Sequence, residues 1–113
     1  MEKIVEQGLL YDFYGELLTQ HQQKIYEDAV YNDLSISEIA EMQGISRQGV
    51  HDLIKRCNRI LEEYESKLHL VKRFNDIKDK VRQMNELAED ESAGQGCLRE
   101  KIRQLTGEIL EAL

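Results

Sequence analysis

The 113-residue sequence predicts an all-α protein: a helix-turn-helix domain followed by a long C-terminal helix and a short final one. Three observations carry that expectation. Proline is absent, and the long stretches between turn residues are rich in Glu, Leu, Lys and Gln, all good helix formers. Apolar residues recur three and four positions apart, and no alternating β-branched run offers a strand. Residues 35–56 carry caps, a small residue and a glycine at the spacing of two short helices joined by a tight turn.

Helix one is expected from about Glu2 to Tyr14, with Ile4, Val5, Leu9, Leu10 and Phe13 inward and Gly15 ending it. Thr19 and Gln22 have capping-box spacing and start helix two, where Ile25, Tyr26, Ala29 and Val30 are apolar; Asn32-Asp33 marks its end. Ser35 and Glu38 repeat the capping-box spacing and open helix three. Its Ile39 and Ala40 face inward, and Ala40 is small enough to let the next helix approach. Gly44 stands where the turn requires a positive φ. Ser46 caps helix four, whose stripe of Val50, Leu53, Ile54, Cys57 and Leu61 continues through Tyr64 and Leu68, so this helix runs to about Lys67. Four helices close a core over residues 1–68 and leave 69–113 as a helical extension.

Within that extension, helix five spans roughly Leu70 to Asp90. Leu70, Phe74, Ile77, Val81, Met84 and Ala88 step by four, three, four, three and four, a heptad-like seam too narrow for a helix buried all round. A flexible linker, Ser92–Gly96, precedes helix six, Leu98 to Leu113, with Leu98, Ile102, Leu105, Ile109 and Ala112 in line. An isolated helix of that length is marginal in water and needs a partner surface. Helix five or the core of the same chain is one partner; a second copy is the other. Two narrow seams on a small acidic chain favour a homodimer held by Phe74, Ile77, Val81, Met84, Leu98, Ile102, Leu105 and Ile109. The competing outcome is helix six folding back on helix five in a monomer.

The functional signal lies on helix four. At 100° per residue, Gln48, His51, Asp52, Lys55 and Arg59 point away from the apolar stripe, with Arg47 and Arg56 on its flanks. Gln, His, Lys and Arg are side chains that reach base edges and phosphates in a major groove. A solvated helix face that happens to be basic is the plainer alternative. The two caps, Ala40 and Gly44 at matching spacing favour the DNA-reading geometry. In it Arg47, Gln48, His51 and Lys55 contact bases, and Ser46, Arg56 and Arg59 hold phosphates.

The runs Leu17-Leu-Thr-Gln-His-Gln-Gln, Asp33-Leu-Ser-Ile-Ser-Glu-Ile-Ala-Glu and Ile45-Ser-Arg-Gln-Gly-Val-His-Asp-Leu-Ile-Lys-Arg resemble the YlxM family of small bacterial proteins. More loosely, Leu17 to Leu61 is similar to region four of sigma-70-type sigma factors. The resemblance covers Leu17 to about Leu70 and is most specific at Ser46–Asp52. It implies an all-helical protein with a sigma-like helix-turn-helix, linked by gene neighbourhood to the signal recognition particle pathway. Three positions depart from the pattern. Gln43 replaces an apolar residue, Gly49 an alanine, and His69 a helix-ending glycine. They imply a looser third helix and a less sharp break near Leu68.

Charge qualifies the DNA reading. The net charge is −7, which disfavours strong nonspecific DNA binding. Residues 1–34 carry two Lys/Arg against seven Asp/Glu, residues 35–60 four against three, and residues 61–113 nine against twelve, so only the helix-turn-helix is positive. A protein- or RNA-binding accessory factor of the signal recognition particle is therefore the alternative. The two cysteines are far apart and no Cys/His cluster exists, so neither a metal nor another cofactor is expected. Cys57 falls on the core stripe; Cys97 reads as an exposed thiol. No Ser/His/Asp grouping or phosphate loop suggests catalysis, and Glu62-Glu63 and Glu89-Asp90-Glu91 read as solvated charge. The longest apolar runs are too short for a membrane span, and the N-terminus lacks a signal-peptide pattern, so a cytoplasmic location is expected.

Overall fold

A computed structural model describes residues 3–90 and 94–113. Among the described residues there are six α-helices and no strand, divided between two compact units, Met1–His69 and Leu70–Leu113. The expected helix start at Glu2, the side chain of Ile4 and residues 92–93 of the linker lie outside the described residues.

The first unit contains α1 (Lys3–Tyr14), a short 3-10 turn (Gly15–Leu17), α2 (Gln20–Val30), α3 (Ile36–Gln43) and α4 (Arg47–Leu68). The capping box at Thr19 forms: its hydroxyl accepts from the Gln22 N–H at 3.2 Å, and the Gln22 side chain accepts from the Thr19 N–H at 2.9 Å. Ile25, Ile39, Ala40 and Val50 form the buried centre, with Ala29, Leu34, Leu53 and Ile54 packed on it. Burial at Cys57 and Leu61 continues the α4 stripe, whereas Leu68 is exposed.

The inward face of α1 is not the aliphatic one expected. Leu10 and Tyr14 are buried, whereas Val5 and Phe13 are exposed. Tyrosines turn the helix. Tyr11 stacks on Tyr26 at 5.4 Å and donates to Glu27 at 2.5 Å; Tyr14 stacks on Tyr64 at 6.0 Å and donates to Glu65 at 2.5 Å. Tyr26 donates to Asn58 at 2.6 Å. Each ring buries apolar area while its hydroxyl keeps a polar partner, a combination an aliphatic side chain cannot offer. Gly15 ends α1 as expected, and a Cβ there would lie 2.8 Å from the Tyr11 ring.

Two helix ends depart from simple expectation. Asp28 is buried on α2, where its Oδ1 accepts from Asn32 at 2.9 Å and Lys24 at 3.4 Å. His69 takes φ 56°, ψ 30° and donates its N–H to the Glu65 carbonyl at 2.9 Å. The break after α4 is therefore as sharp as a glycine would make it. His is among the non-glycine residues enriched in this left-handed region.

The second unit is a helical hairpin of α5 (Leu70–Glu89) and α6 (Gln95–Ala112). Lys80 of α5 pairs with Glu108 near the end of α6 at 2.9 Å, so the helices run antiparallel. That hydrogen bond holds the Glu108 carboxyl below its ordinary range. Helix six starts three residues earlier than expected; Gln95 and Gly96 are helical, and Cys97 is exposed near its start. Leu105 is buried, while Ile77, Met84, Leu98, Ile102 and Ile109 are half-buried. Helix six thus folds back on helix five within one chain, which removes Leu105 from the surface available to a second copy. On α5, Leu70 is exposed and Val71 is buried, so the first position expected on the seam is not covered.

Candidate nucleic-acid interface

The turn between α3 and α4 is built by local chemistry. The Ser35 hydroxyl accepts from the Glu38 N–H at 3.1 Å, and Glu38 accepts from the Ser35 N–H at 3.2 Å, so two donors at the α3 start are satisfied. Gly44 takes φ 67°, ψ 32°, and its N–H and that of Ile45 turn back to the Ala40 carbonyl. A Cβ at Gly44 would meet nothing within 4 Å, so the glycine is needed for its backbone angle and not for space. Ser46 then caps α4 by accepting from the Gly49 N–H at 2.9 Å. A Cβ at Gly49 would sit 3.1 Å from that hydroxyl oxygen, which gives the glycine at this position a local reason.

Behind α4, Val50, Cys57 and Leu61 are fully buried. Burial pushes the Cys57 thiol up to about 11, so it acts as a small apolar core residue and not as a nucleophile. In front, all seven sequence-predicted side chains are exposed: Ser46, Arg47, Gln48, His51, Lys55, Arg56 and Arg59. They fall into three groups. Arg47, Gln48 and His51 share the opening turns, where Arg47 reaches Ser37 of α3 at 3.5 Å. Gln48 donates to Asp52 at 2.9 Å, and His51 Nδ1 lies 3.9 Å from the same carboxylate oxygen. Lys55 and Arg59 line a cleft of about 460 Å³ against α1, shared with Glu6, Leu10, Asn58 and Glu62. Arg56 is on the other flank, in a cleft of about 360 Å³ shared with Thr19, His21 and Gln22 at the start of α2.

The sequence pattern alone did not assign three neighbours of the site. The Gln48–Asp52 bond was readable in principle, since residues four apart on a helix face each other. Glu6 opposite Lys55 and Arg59, and His21 beside Arg56, depend on how α1 and α2 dock, and no local signal encodes that. No group of three or more His, Cys, Asp or Glu among the described residues is arranged to hold a metal ion. No helix among them is long and apolar enough to cross a membrane.

A family model described as "Putative helix-turn-helix protein, YlxM / p13 like" matches residues 1–103. A UPF0122 protein of Thermoanaerobacter pseudethanolicus is 53% identical over 73 residues, covering 65% of this chain and 62% of its own length. One from Caldanaerobacter subterraneus is 50% identical over 78 residues, covering 69% of this chain and 67% of its own length. A third, from Bacillus thuringiensis, is 36% identical over all 113 residues and 96% of its own length. The chain thus spans a little under two thirds of the Thermoanaerobacter relatives it matches.

Proposed function

Since the chain belongs to the YlxM/p13-like helix-turn-helix family, we propose that it is a cytoplasmic DNA-binding regulator that reads the major groove with α4. One observation carries this reading. The first turns of α4 expose a basic ridge, while the opposite side of the helix is locked into the core and its start is fixed by the Ser46 cap. In this reading Arg47, Gln48, His51 and Lys55 meet base edges, and Ser46, Arg56 and Arg59 grip phosphates. Residues 1–68 form the reading domain. Residues 69–113 join two copies, which pairs two half-sites on the duplex. The regulated process is the signal recognition particle pathway, on the strength of the family resemblance.

A second reading is favoured by the acids set among these bases, Asp52 on the ridge and Glu6 and Glu62 in the Lys55–Arg59 cleft. In that reading the helix-turn-helix is a scaffold, and the chain is a protein- or RNA-binding accessory factor of the signal recognition particle. Titrating duplex DNA at several salt concentrations separates the two. Phosphate contacts by Arg56 and Arg59 correspond to a slope of log affinity on log salt of about −2 for each copy bound. Replacing Gln48, His51 and Lys55 together by alanine weakens binding and abolishes sequence preference, while the slope from Arg56 and Arg59 remains. Unchanged affinity of the triple variant at low salt would defeat the DNA reading.

A further inference from the structure

Gln48 is the second residue of α4, at the end of the helix that enters the groove in the reading above. Its side chain has one hydrogen-bond partner among the described residues: Nε2 donates to Oδ1 of Asp52 at 2.9 Å. Lys55 lies three residues beyond Asp52 and Arg56 four, both ordinary spacings for an ion pair on a helix. Among the described residues the carboxylate pairs with neither. It turns toward the start of the helix instead, and His51 Nδ1 lies 3.9 Å from the oxygen that accepts from Gln48. Gln48 and Asp52 are both exposed, so packing does not force the contact.

The chemistry of the acceptor fixes what Gln48 presents outward. A carboxylate only accepts, so the amide must offer its NH2 group to Asp52 and cannot turn end for end without losing the bond. One N–H is then committed, and the carbonyl oxygen and the second N–H remain to meet a ligand. That leaves one acceptor and one donor. The major-groove edge of adenine offers the matching pair, an acceptor at N7 and a donor at N6. Guanine offers two acceptors, N7 and O6, and sets one of them against the Gln48 carbonyl. A glutamine without Asp52 carries no such restriction: turned about, its NH2 group can donate to either acceptor of guanine.

We propose that Asp52 is a positioning residue that makes Gln48 an adenine reader and excludes guanine at the same base pair. The inference rests on α4 being the groove-reading helix and deepens that reading by naming the base. In this arrangement Asp52 touches no base and acts through Gln48. Its negative charge weakens attraction to phosphate at every sequence alike. Removing the carboxylate therefore has two separate effects: discrimination at one base pair falls, while affinity for duplexes in general rises.

The test is selection of duplexes from a library with a randomised core, using the full chain and its variants, followed by titration of the enriched duplex and its guanine-substituted counterpart. Asp52 is exposed, so circular dichroism should show each variant melting with the parent. The parent is expected to enrich a position where adenine is preferred to guanine by roughly 5- to 100-fold, the discrimination of one bidentate pair. Gln48→Ala is expected to erase that preference. Asp52→Ala is expected to bring it below about threefold while the other enriched positions stay as in the parent. Asp52→Asn should do the same, because an asparagine amide donates as well as accepts and no longer fixes the direction of Gln48. Asp52→Glu, again an acceptor only, should keep the preference. A merely structural contact would change affinity at all positions together and would not separate the asparagine variant from the glutamate one. An adenine preference that persists in Asp52→Ala, a Gln48-dependent preference for guanine, or like behaviour of Asp52→Asn and Asp52→Glu overturns the inference and leaves the α4 reading in place. A parent chain that enriches no sequence overturns both.

Discussion

Gly44 offers a clean separation of backbone angle from packing. It holds φ 67°, and a Cβ added to it would touch nothing within 4 Å. Gly107, inside α6, is equally open around its missing Cβ, but its φ lies outside the left-handed region. The same change, glycine to alanine, should therefore act with opposite sign at the two positions. At Gly44 the left-handed angle costs an alanine about 1–2 kcal/mol. Stiffening of the unfolded chain returns roughly 0.4–1 kcal/mol, leaving a net loss of about 0.8 kcal/mol at the middle of the two ranges and about 1.6 kcal/mol at most. At Gly107 removing an interior helix glycine gains about 0.5–1 kcal/mol. For a unit of this size each kcal/mol moves the melting temperature by about 4–8 °C. Thermal circular dichroism on the full chain measures both, and amide exchange by mass spectrometry assigns the loss to α3 and α4 and the gain to α6. Gly44→Asn should fall between parent and Gly44→Ala, because asparagine tolerates the left-handed region. A Gly44→Ala protein that melts at or above the parent temperature would refute a turn dictated by backbone angle.

Two further outcomes are expected. Asn32→Ala removes a donor from the buried Asp28 carboxylate, whose other oxygen has no hydrogen-bond partner among the described residues. The loss should be about 1.5–3 kcal/mol by urea unfolding and clearly smaller in an Asp28→Asn background; equal losses in both backgrounds would show that Asn32 acts elsewhere. Stability should also fall in alkali, because folding raises the Cys57 thiol from its ordinary 9.0 to about 11, and the protonated form is the one the core accommodates. The stabilisation is complete below pH 9 and is lost as pH rises through about 11. Burial likewise raises the Tyr26 hydroxyl, which extends the decline upward. A urea midpoint that stays constant from pH 9 to 11 would contradict this linkage.

What the sequence disclosed follows the range of the forces involved. The three caps at Thr19, Ser35 and Ser46 and the left-handed Gly44 were readable because each involves partners within a few residues. The buried stripe of α4 was readable because periodicity alone separates its two sides. The face of α1 was not, since tyrosine counts as half-polar in any apolar pattern while here it supplies the contacts to α2 and α4. Asp28 escaped for the same reason: a carboxylate is assigned to the surface unless its partners are known. The early start of α6 has no signal, because Gly94 precedes it without a side-chain cap.

Legibility of the candidate site divides in the same way. Exposure of the seven predicted side chains followed from the helix period, but their electrostatic setting did not. Asp52 is the instructive residue. A carboxylate on a face that approaches phosphates is unfavourable if it stands alone, yet here it accepts from Gln48 at 2.9 Å and has His51 beside it at 3.9 Å. Held in this way, Gln48 has fewer rotamers to lose on docking than a free glutamine, and side-chain ordering is a cost that every interface meets. The acid thus trades long-range attraction to an anion for a preset orientation of the Gln48 side chain. On the DNA reading proposed above, that trade would suit a chain of net charge −7, since such a charge disfavours nonspecific binding to a polyanion and leaves discrimination to contacts at base edges.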